Sequence, residues 1–214
     1  FIKFLAMEIL DTLFGFIWKS SVFIGLILVA LMVLLYFYQD KLLYMPEAPH
    51  RHPSMNPQGY RTPAESGLLY EDVSIASSDG TKLHGWLVTM PNPKNHPTIV
   101  YFHENAGNIG TRIGFIKYMQ EYCNVNVLLM AYRGYSYSEG TPNEAGIQRD
   151  TQAVLQYIFS RINIDTDRIF VLGRSLGGAV SIHGLSENKF PVAGLILENT
   201  FTSISDMVDI VFAK

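Results

Sequence analysis

The sequence predicts an α/β protein in which a mainly parallel sheet with an N-terminal hairpin follows a single transmembrane helix. Three features lead to this prediction. Val22 to Tyr38 is an uncharged apolar run, strand-like and helix-like segments alternate from Tyr70 onward, and a glycine-rich turn joins one such strand to one such helix. Alternation of this kind, with nearly continuous apolar strands, is typical of a parallel sheet covered on both faces.

The composition limits the class of protein. Of the 214 residues, 48% are hydrophobic and 16% are charged, and the formal net charge is −3. Disordered chains have low hydrophobicity and high net charge, so they are excluded. The chain has no run of Lys and Arg, which argues against nucleic acid as a partner. The single Cys123 excludes an intrachain disulfide framework and a cysteine-rich zinc site, and we expect neither a metal nor a cofactor.

The apolar run is long enough to cross a membrane as a helix, because a hydrocarbon core of about 30 Å needs about 20 residues. Lys19 and Asp40 bound the run, and aromatic residues lie near both of its ends. Polar residues recur at helical spacing before it, which indicates a preceding helix in the interface plane. The alternatives are a buried core helix or a cleaved signal peptide. We expect a single-pass protein of the plasma membrane or an endomembrane, with residues 20–38 in contact with lipid.

The chain divides into three parts by composition. We assign residues 1–45 to the interfacial helix and the transmembrane anchor. Residues 46–66 form a proline-rich linker, since Pro46 to Pro63 contains five of the ten prolines and has no apolar periodicity. Residues 67–214 form the α/β domain.

The elements of this domain follow from local patterns. Asp79-Gly80 is a hairpin signal between two strands. Thr141, Pro142 and Glu144 match the N-cap, N1 and N3 positions of a capping box, so a helix should begin there. The predicted strands are Tyr70–Ala76, Leu83–Val88, Thr98–Phe102, Val125–Ala131, Ile169–Leu172 and Val192–Leu197. The other predicted helices are Ile113–Tyr122, Leu176–Leu185 and one from Ile204 onward.

A catalytic nucleophile is predicted at the turn between the strand IFVL and the helix that follows it. Gly173-Arg174-Ser175-Leu176-Gly177 matches G-x-S-x-G, the nucleophile elbow. A serine at such a turn needs a strained backbone with positive φ, and the two flanking glycines leave room for close strand–helix packing. The Leu176 amide then points toward an oxyanion at a helix N-terminus. The alternative is a glycine-rich turn with a structural serine.

A second oxyanion donor is expected from the loop after an earlier strand. The strand TIVYF leads into His103-Glu104-Asn105-Ala106-Gly107, and we assign the donor to the Asn105 amide. His103 would orient the loop, and Gly107 would permit close approach. The alternative, a phosphate-binding loop, lacks both G-x-G-x-x-G and a Walker lysine.

The remaining polar residues do not complete a Ser-acid-His triad. His183 lies eight residues after the serine on the same helix, about 12 Å along the axis, too far to reach its hydroxyl. Glu198 ends the strand LILE and is a candidate acid. We expect Arg133 and Arg174, with the YRGYSYSEG loop, to be structural and to bind backbone carbonyls.

Six segments carry a family resemblance: YQDKLLYMPE, SSDGTKLHGW, FHENAGN, YRGYSYSEG, NIDTDRIFVLGRSLGGAV and LILENTFTSISDM. In these segments and their order the chain resembles the membrane-anchored α/β-hydrolases of the bud-emergence type, the family of α/β-hydrolase domain-containing protein 13 and the plant wavy-growth protein. The resemblance implies an α/β-hydrolase fold with Ser175 as nucleophile and the amides of Asn105 and Leu176 as oxyanion donors.

Two departures from the family pattern bear on the site. Animal members have glycine where this chain has Glu104, whereas the plant branch also carries Glu there. A carboxylate beside an oxyanion would oppose its charge unless it points away. The family's triad acid and histidine follow later strands, so we expect them beyond residue 214. The resemblance thus implies an N-terminal fragment that is C-terminally incomplete, and we expect it to be inactive by itself.

Three functions remain open at this point. The first is a membrane-anchored serine hydrolase that cleaves an ester, thioester or amide of a small acyl or lipid-like substrate. The second is a non-catalytic membrane-bound scaffold with a hydrolase fold. The third is a soluble phosphate-binding domain whose first 45 residues are a processed leader.

Overall fold

The computed structural model describes residues 2–186 and 189–203, so the helix predicted from Ile204 lies outside the described residues. The chain forms two compact units, Phe1–Leu43 and Tyr44–Lys214. Its helices and strands, in chain order, are α1 (Ile2–Leu43), β1 (Tyr70–Ala76), β2 (Lys82–Val88), β3 (Thr98–Phe102), α2 (Ile113–Cys123), β4 (Asn126–Met130), α3 (Glu144–Phe159), β5 (Ile169–Arg174), α4 (Leu176–Ser186) and β6 (Gly194–Glu198).

The first unit is one continuous helix of 42 residues. The interfacial helix and the membrane helix expected from the sequence are therefore not separate elements. No proline interrupts the sequence before Pro46, so nothing forces a break. By length and composition, its segment Leu10–Leu43 is apolar enough to cross a membrane.

The second unit contains a six-stranded sheet with the order β1-β2-β4-β3-β5-β6. The predicted hairpin is confirmed, since β1 and β2 pair antiparallel. The strand β2 also pairs antiparallel with β4, and the remaining pairs are parallel. The predicted mainly parallel sheet with an N-terminal hairpin is therefore correct.

The core lies around the central strands. Every residue of β3 and β4 is buried, as the nearly continuous apolar sequences of these strands predict. The edge strand β6 differs, because Leu195, Ile196 and Leu197 keep 40%, 46% and 43% of their surface exposed. The prediction of a sheet covered on both faces therefore holds for the centre of the sheet and not for β6 in the described part of the chain.

The start of α3 corrects the predicted capping box. The N-cap is Asn143, whose side-chain oxygen accepts a hydrogen bond of 2.8 Å from the Gly146 amide. Thr141 lies two residues earlier and does not cap the helix. Both residue types are good N-caps, and the asparagine is placed to reach the first-turn amide.

Arg133 also differs from its prediction, because its partners are carboxylates and not backbone carbonyls. Its guanidinium donates to the two carboxylate oxygens of Asp150 at 2.8 and 2.6 Å, and to Asp79 at 3.0 Å. Arg133 and Asp150 are both buried. This bidentate pair joins the loop after β4 to α3, so its role is structural, as expected.

Replacing Asp150 by asparagine should lower the free energy of unfolding by about 3 kcal/mol, because it leaves the buried Arg133 guanidinium without its main counter-charge. Urea denaturation of the detergent-solubilised chain measures the change. Asp167→Asn is the control, since Asp167 is exposed and its replacement should cost less than about 0.5 kcal/mol. Equal stability of the two variants would contradict the structural role of this pair.

Candidate active site

Ser175 connects β5 to α4 with a left-handed backbone of φ +53°. This conformation costs a non-glycine residue about 1–3 kcal/mol and persists only where the surroundings hold it. The Ser175 amide donates to the Glu198 carbonyl at 2.9 Å, and its carbonyl accepts from the Thr200 hydroxyl at 3.0 Å and the Gly178 amide at 2.9 Å. The turn has the strained geometry that the sequence pattern predicts, and its side chain is half-buried.

The glycines on either side of this turn are needed for close packing. A Cβ at Gly177 would overlap the carbonyl of Phe102, and a Cβ at Gly173 would overlap the Gly177 carbonyl and the Ser181 hydroxyl. The first turn of α4 therefore lies directly against the end of β3. Leu176 is the first residue of α4, where helix amides have no intrahelical acceptor.

The second part of the site is the oxyanion loop, which we define as residues His103–Gly110. Phe102 at the end of β3 is in register with Gly173 on the neighbouring β5, so this loop begins beside the elbow. The side-chain oxygen of Asn105 accepts from the Tyr135 hydroxyl at 2.7 Å and from the Met45 amide at 3.1 Å. Gly107 has φ +87°, and a Cβ there would meet the Arg112 guanidinium. The predicted oxyanion loop therefore begins beside the strand that leads into the elbow.

His103 is completely buried within this loop. Its Nδ1 lies 2.6 Å from the Glu104 carbonyl oxygen, and its ring packs 4.3 Å from the ring of Tyr132. Its Nε2 is buried without a hydrogen-bond partner among the described residues. Burial, assisted by the positive charge of Arg112, lowers the pKa of His103 to about 3. The imidazole is therefore neutral at physiological pH, with Nδ1 as the donor to the carbonyl.

The carboxylate of Glu104 is neutralised by its neighbours. It pairs with Arg112 at 3.0 Å and with Arg174 at 3.2 Å, and it accepts from the Tyr101 hydroxyl at 3.0 Å. Burial by itself would raise the pKa of Glu104, but the charge of Arg112 and these hydrogen bonds outweigh it and lower the pKa. The negative charge expected to oppose an oxyanion is thus balanced by two guanidinium groups.

Within the described residues, no hydrogen bond joins the Ser175 hydroxyl to the Glu198 carboxylate or to a histidine. Glu198 ends β6, and its carboxylate pairs with Arg174 at 3.2 Å. Within residues 2–186 and 189–203, no histidine nitrogen is hydrogen-bonded to Ser175 or Glu198. His183 lies in the last turn of α4, about 12 Å from Ser175 along the axis. The described residues therefore supply an elbow and a loop without a triad.

Sequence reasoning missed three contributors to the site. Arg112 and Tyr135 hold the oxyanion loop, and Met45 contacts it from a segment assigned to the anchor. Arg112 is buried and follows the loop. A charged residue so close to a predicted functional loop could have been recognised from the sequence as a candidate for holding it. Met45 acts through its backbone amide, which no sequence pattern marks.

The chain matches no protein-family model. It is similar to α/β hydrolase domain-containing protein WAV2 of Arabidopsis thaliana, with 45% identity over 89% of this chain and 61% of that protein. It is 40% identical to protein bem46 of Schizosaccharomyces pombe, over 83% of this chain and 58% of that protein. A Saccharomyces cerevisiae protein named as an uncharacterized membrane protein is 34% identical over 92% of this chain and 68% of its own length. The chain thus spans about three-fifths of WAV2 and bem46.

Solved structures with a similar fold include hydrolases. An esterase of Pyrococcus furiosus superposes with a TM-score of 0.55 and 25% identity, over 65% of this chain and 53% of that chain. An α/β hydrolase of Vibrio vulnificus superposes with a TM-score of 0.56 and 21% identity, over 65% of this chain and 48% of that chain. The second likeness bears on the fold alone.

The buried neutral His103 should make stability fall as the solution is acidified. Above pH 6.5 its ring is neutral in both states; below pH 6.5 the unfolded chain takes up a proton that the folded chain does not, down to about pH 3. The loss should reach about 1.4 kcal/mol per pH unit. His103→Gln should remove this part of the pH dependence, as measured by urea unfolding at pH 7 and pH 5.

His96→Gln is the control for this prediction. His96 is partly exposed and lies outside the oxyanion loop, and this variant keeps the buried His103, so the fall in stability on acidification should persist. An identical pH dependence in wild type and His103→Gln would show that His103 titrates normally.

Proposed function

Since this chain belongs to the α/β-hydrolases of the bud-emergence type, the group that includes WAV2 and bem46, and has the α/β-hydrolase fold, we propose that it is a serine hydrolase with Ser175 as nucleophile. The observation that carries the proposal is the left-handed backbone of Ser175 at a strand-to-helix turn. The proposed reaction is cleavage of an ester, thioester or amide.

In the proposed mechanism, the Ser175 oxygen bonds to the substrate carbonyl carbon while its proton passes to a general base. The carbonyl oxygen becomes an oxyanion that accepts hydrogen bonds from the amides of Leu176 and Asn105. Collapse of the tetrahedral intermediate expels the leaving group, which takes the proton, and leaves an acyl-serine. Water then attacks the acyl carbon, and its proton returns to Ser175 through the same base. We place the base and its acid partner beyond residue 214.

The electrostatics of the site support this reaction. Glu104 lies in the oxyanion loop, but its negative charge is balanced by its ion pairs with Arg112 and Arg174. A neutral His103 adds no charge of either sign to the loop. The amides of the loop and the N-terminus of α4 therefore act on a developing oxyanion without an unpaired carboxylate beside them.

We further propose that α1 anchors the protein in a membrane as a single span, with residues 20–38 in contact with lipid. The support is the length and apolar composition of α1 and the name of the yeast relative as a membrane protein. A hydrolase held at a membrane would meet small acyl or lipid-like substrates, and these are the substrate class we propose.

A non-catalytic scaffold is the second candidate. It is favoured by one observation, that no histidine of the described residues is hydrogen-bonded to Ser175. Fluorophosphonate labelling of Ser175 separates the two functions.

In the full-length protein, a fluorophosphonate probe should form a covalent adduct with Ser175, and Ser175→Ala should abolish the adduct, because the probe reacts only with an activated serine. Gel fluorescence and peptide mass spectrometry measure the adduct and its position. Ser160→Ala is the control, since Ser160 is exposed at the end of α3 and should not affect labelling. A folded full-length protein that resists labelling would favour the scaffold.

Alkaline carbonate extraction should leave the protein in the membrane pellet, whereas a variant that lacks residues 1–43 should move to the supernatant. The reason is that burial of a span of about 20 apolar residues in hydrocarbon survives the loss of electrostatic contacts. Immunoblotting of both fractions measures the distribution. Release of the intact chain by carbonate would overturn the proposed anchor.

A further inference from the structure

The strap, which we define as residues 44–60, makes hydrogen bonds to the oxyanion loop along much of its length. The Met45 amide donates to the Asn105 side-chain oxygen at 3.1 Å. Further along, the Ala48 carbonyl accepts from the Gly107 amide, and the His50 carbonyl accepts from the Asn108 side chain at 2.8 Å. A segment that reads as a proline-rich linker in the sequence is therefore docked on the candidate active site.

A pair of buried amides fastens the middle of the strap. The side-chain nitrogen of Asn56 donates to the side-chain oxygen of Asn108 at 2.7 Å, and the Asn108 nitrogen donates back to Asn56 at 2.9 Å. Asn56 is 4% exposed and Asn108 is fully buried. A reciprocal amide pair in such surroundings permits one relative position of its two segments, because any shift leaves buried polar groups unpaired.

The other side of the oxyanion loop is held by the loop after β4. The Tyr135 hydroxyl donates to the Asn105 side-chain oxygen at 2.7 Å and accepts from the Met45 amide at 3.0 Å. The Ser136 hydroxyl accepts from the Ile109 amide at 3.2 Å. The Asn105 side chain is thus fixed between the strap and this second loop. These contacts limit the positions open to its backbone amide, the proposed oxyanion donor.

We propose that the strap is a positioning element of the active site, acting through the Met45 amide and the Asn56 side chain. It holds the oxyanion loop so that the Asn105 amide faces the group attacked by Ser175. The inference rests on the proposed hydrolase function and adds the segment that positions its oxyanion donor. The strap begins directly after Leu43, the last residue of α1, so the segment that leaves the candidate anchor also sets the geometry of the site.

The first test compares two substitutions of Met45 in the full-length protein. Met45→Pro removes the backbone donor, whereas Met45→Ala removes the same side chain and keeps the donor. The rate constant of fluorophosphonate labelling reports on the positioning of the site, and the final amplitude reports on the folded fraction. We expect the rate constant of Met45→Pro to be at least about tenfold below that of Met45→Ala, with equal amplitudes, since misplaced catalytic groups cost up to about 100-fold.

The second test uses the amide pair, so that the conclusion does not depend on a proline. Asn56→Asp replaces a donor by an acceptor opposite the Asn108 oxygen, and it should lower the labelling rate constant by at least about tenfold at unchanged amplitude. Asn95→Asp is the matched control, because Asn95 is exposed and lies outside both the strap and the oxyanion loop. Its rate constant should stay within about twofold of the wild type.

The outcomes separate the two proposals. Labelling of the wild type with unchanged rate constants in Met45→Pro and Asn56→Asp overturns the positioning role and leaves the hydrolase function standing. A loss of amplitude at an unchanged rate constant also overturns it, because the strap would then only stabilise the fold. A wild-type protein that is not labelled at Ser175 overturns the hydrolase function and the positioning role together.

Discussion

The close approach of α4 to the end of β3 is the constraint on which the candidate site depends. The Phe102 carbonyl occupies the space that a side chain at position 177 would need, so the helix can start there only with glycine. This contact places the first amides of α4 beside the loop that follows β3. The same turn forces Ser175 into a left-handed backbone, and the carbonyl of Glu198 and the hydroxyl of Thr200 hold it there. The register of the sheet, the start of α4 and the orientation of Ser175 therefore depend on the same contact.

The oxyanion loop depends on a different kind of contact. Its residues are held by hydrogen bonds from two segments distant in the sequence, the strap before β1 and the loop after β4. Hydrogen bonds of this kind contribute little net stability each, but they are costly to leave unmade when buried. Their main effect is therefore to fix the position of the loop, and they add little to the stability of the fold.

Most of the fold could be predicted from the sequence, and the reason differs from element to element. The buried strands β3 and β4 are apolar after their first residue, and the elbow has a local pattern of glycines, so each can be recognised from a few residues of sequence. The predicted N-cap of α3 was wrong because threonine and asparagine are both common N-cap residues. Only the hydrogen bond from the Gly146 amide distinguishes Asn143 from Thr141. The docking of the strap could not be predicted, because Asn56 and Asn108 are 52 residues apart. The residues around each of them contain no pattern that indicates a contact with the other.

The ion pairs of Glu104 also couple the residues that form them. The carboxylate lies between the guanidinium groups of Arg112 and Arg174, and Arg174 also pairs with Glu198. A glycine at position 104 would leave Arg112 without this counter-charge and would leave two like charges in mutual repulsion. The effect of replacing Glu104 should therefore depend on which residues stand at positions 112 and 174, so that substitutions at these three positions are not additive.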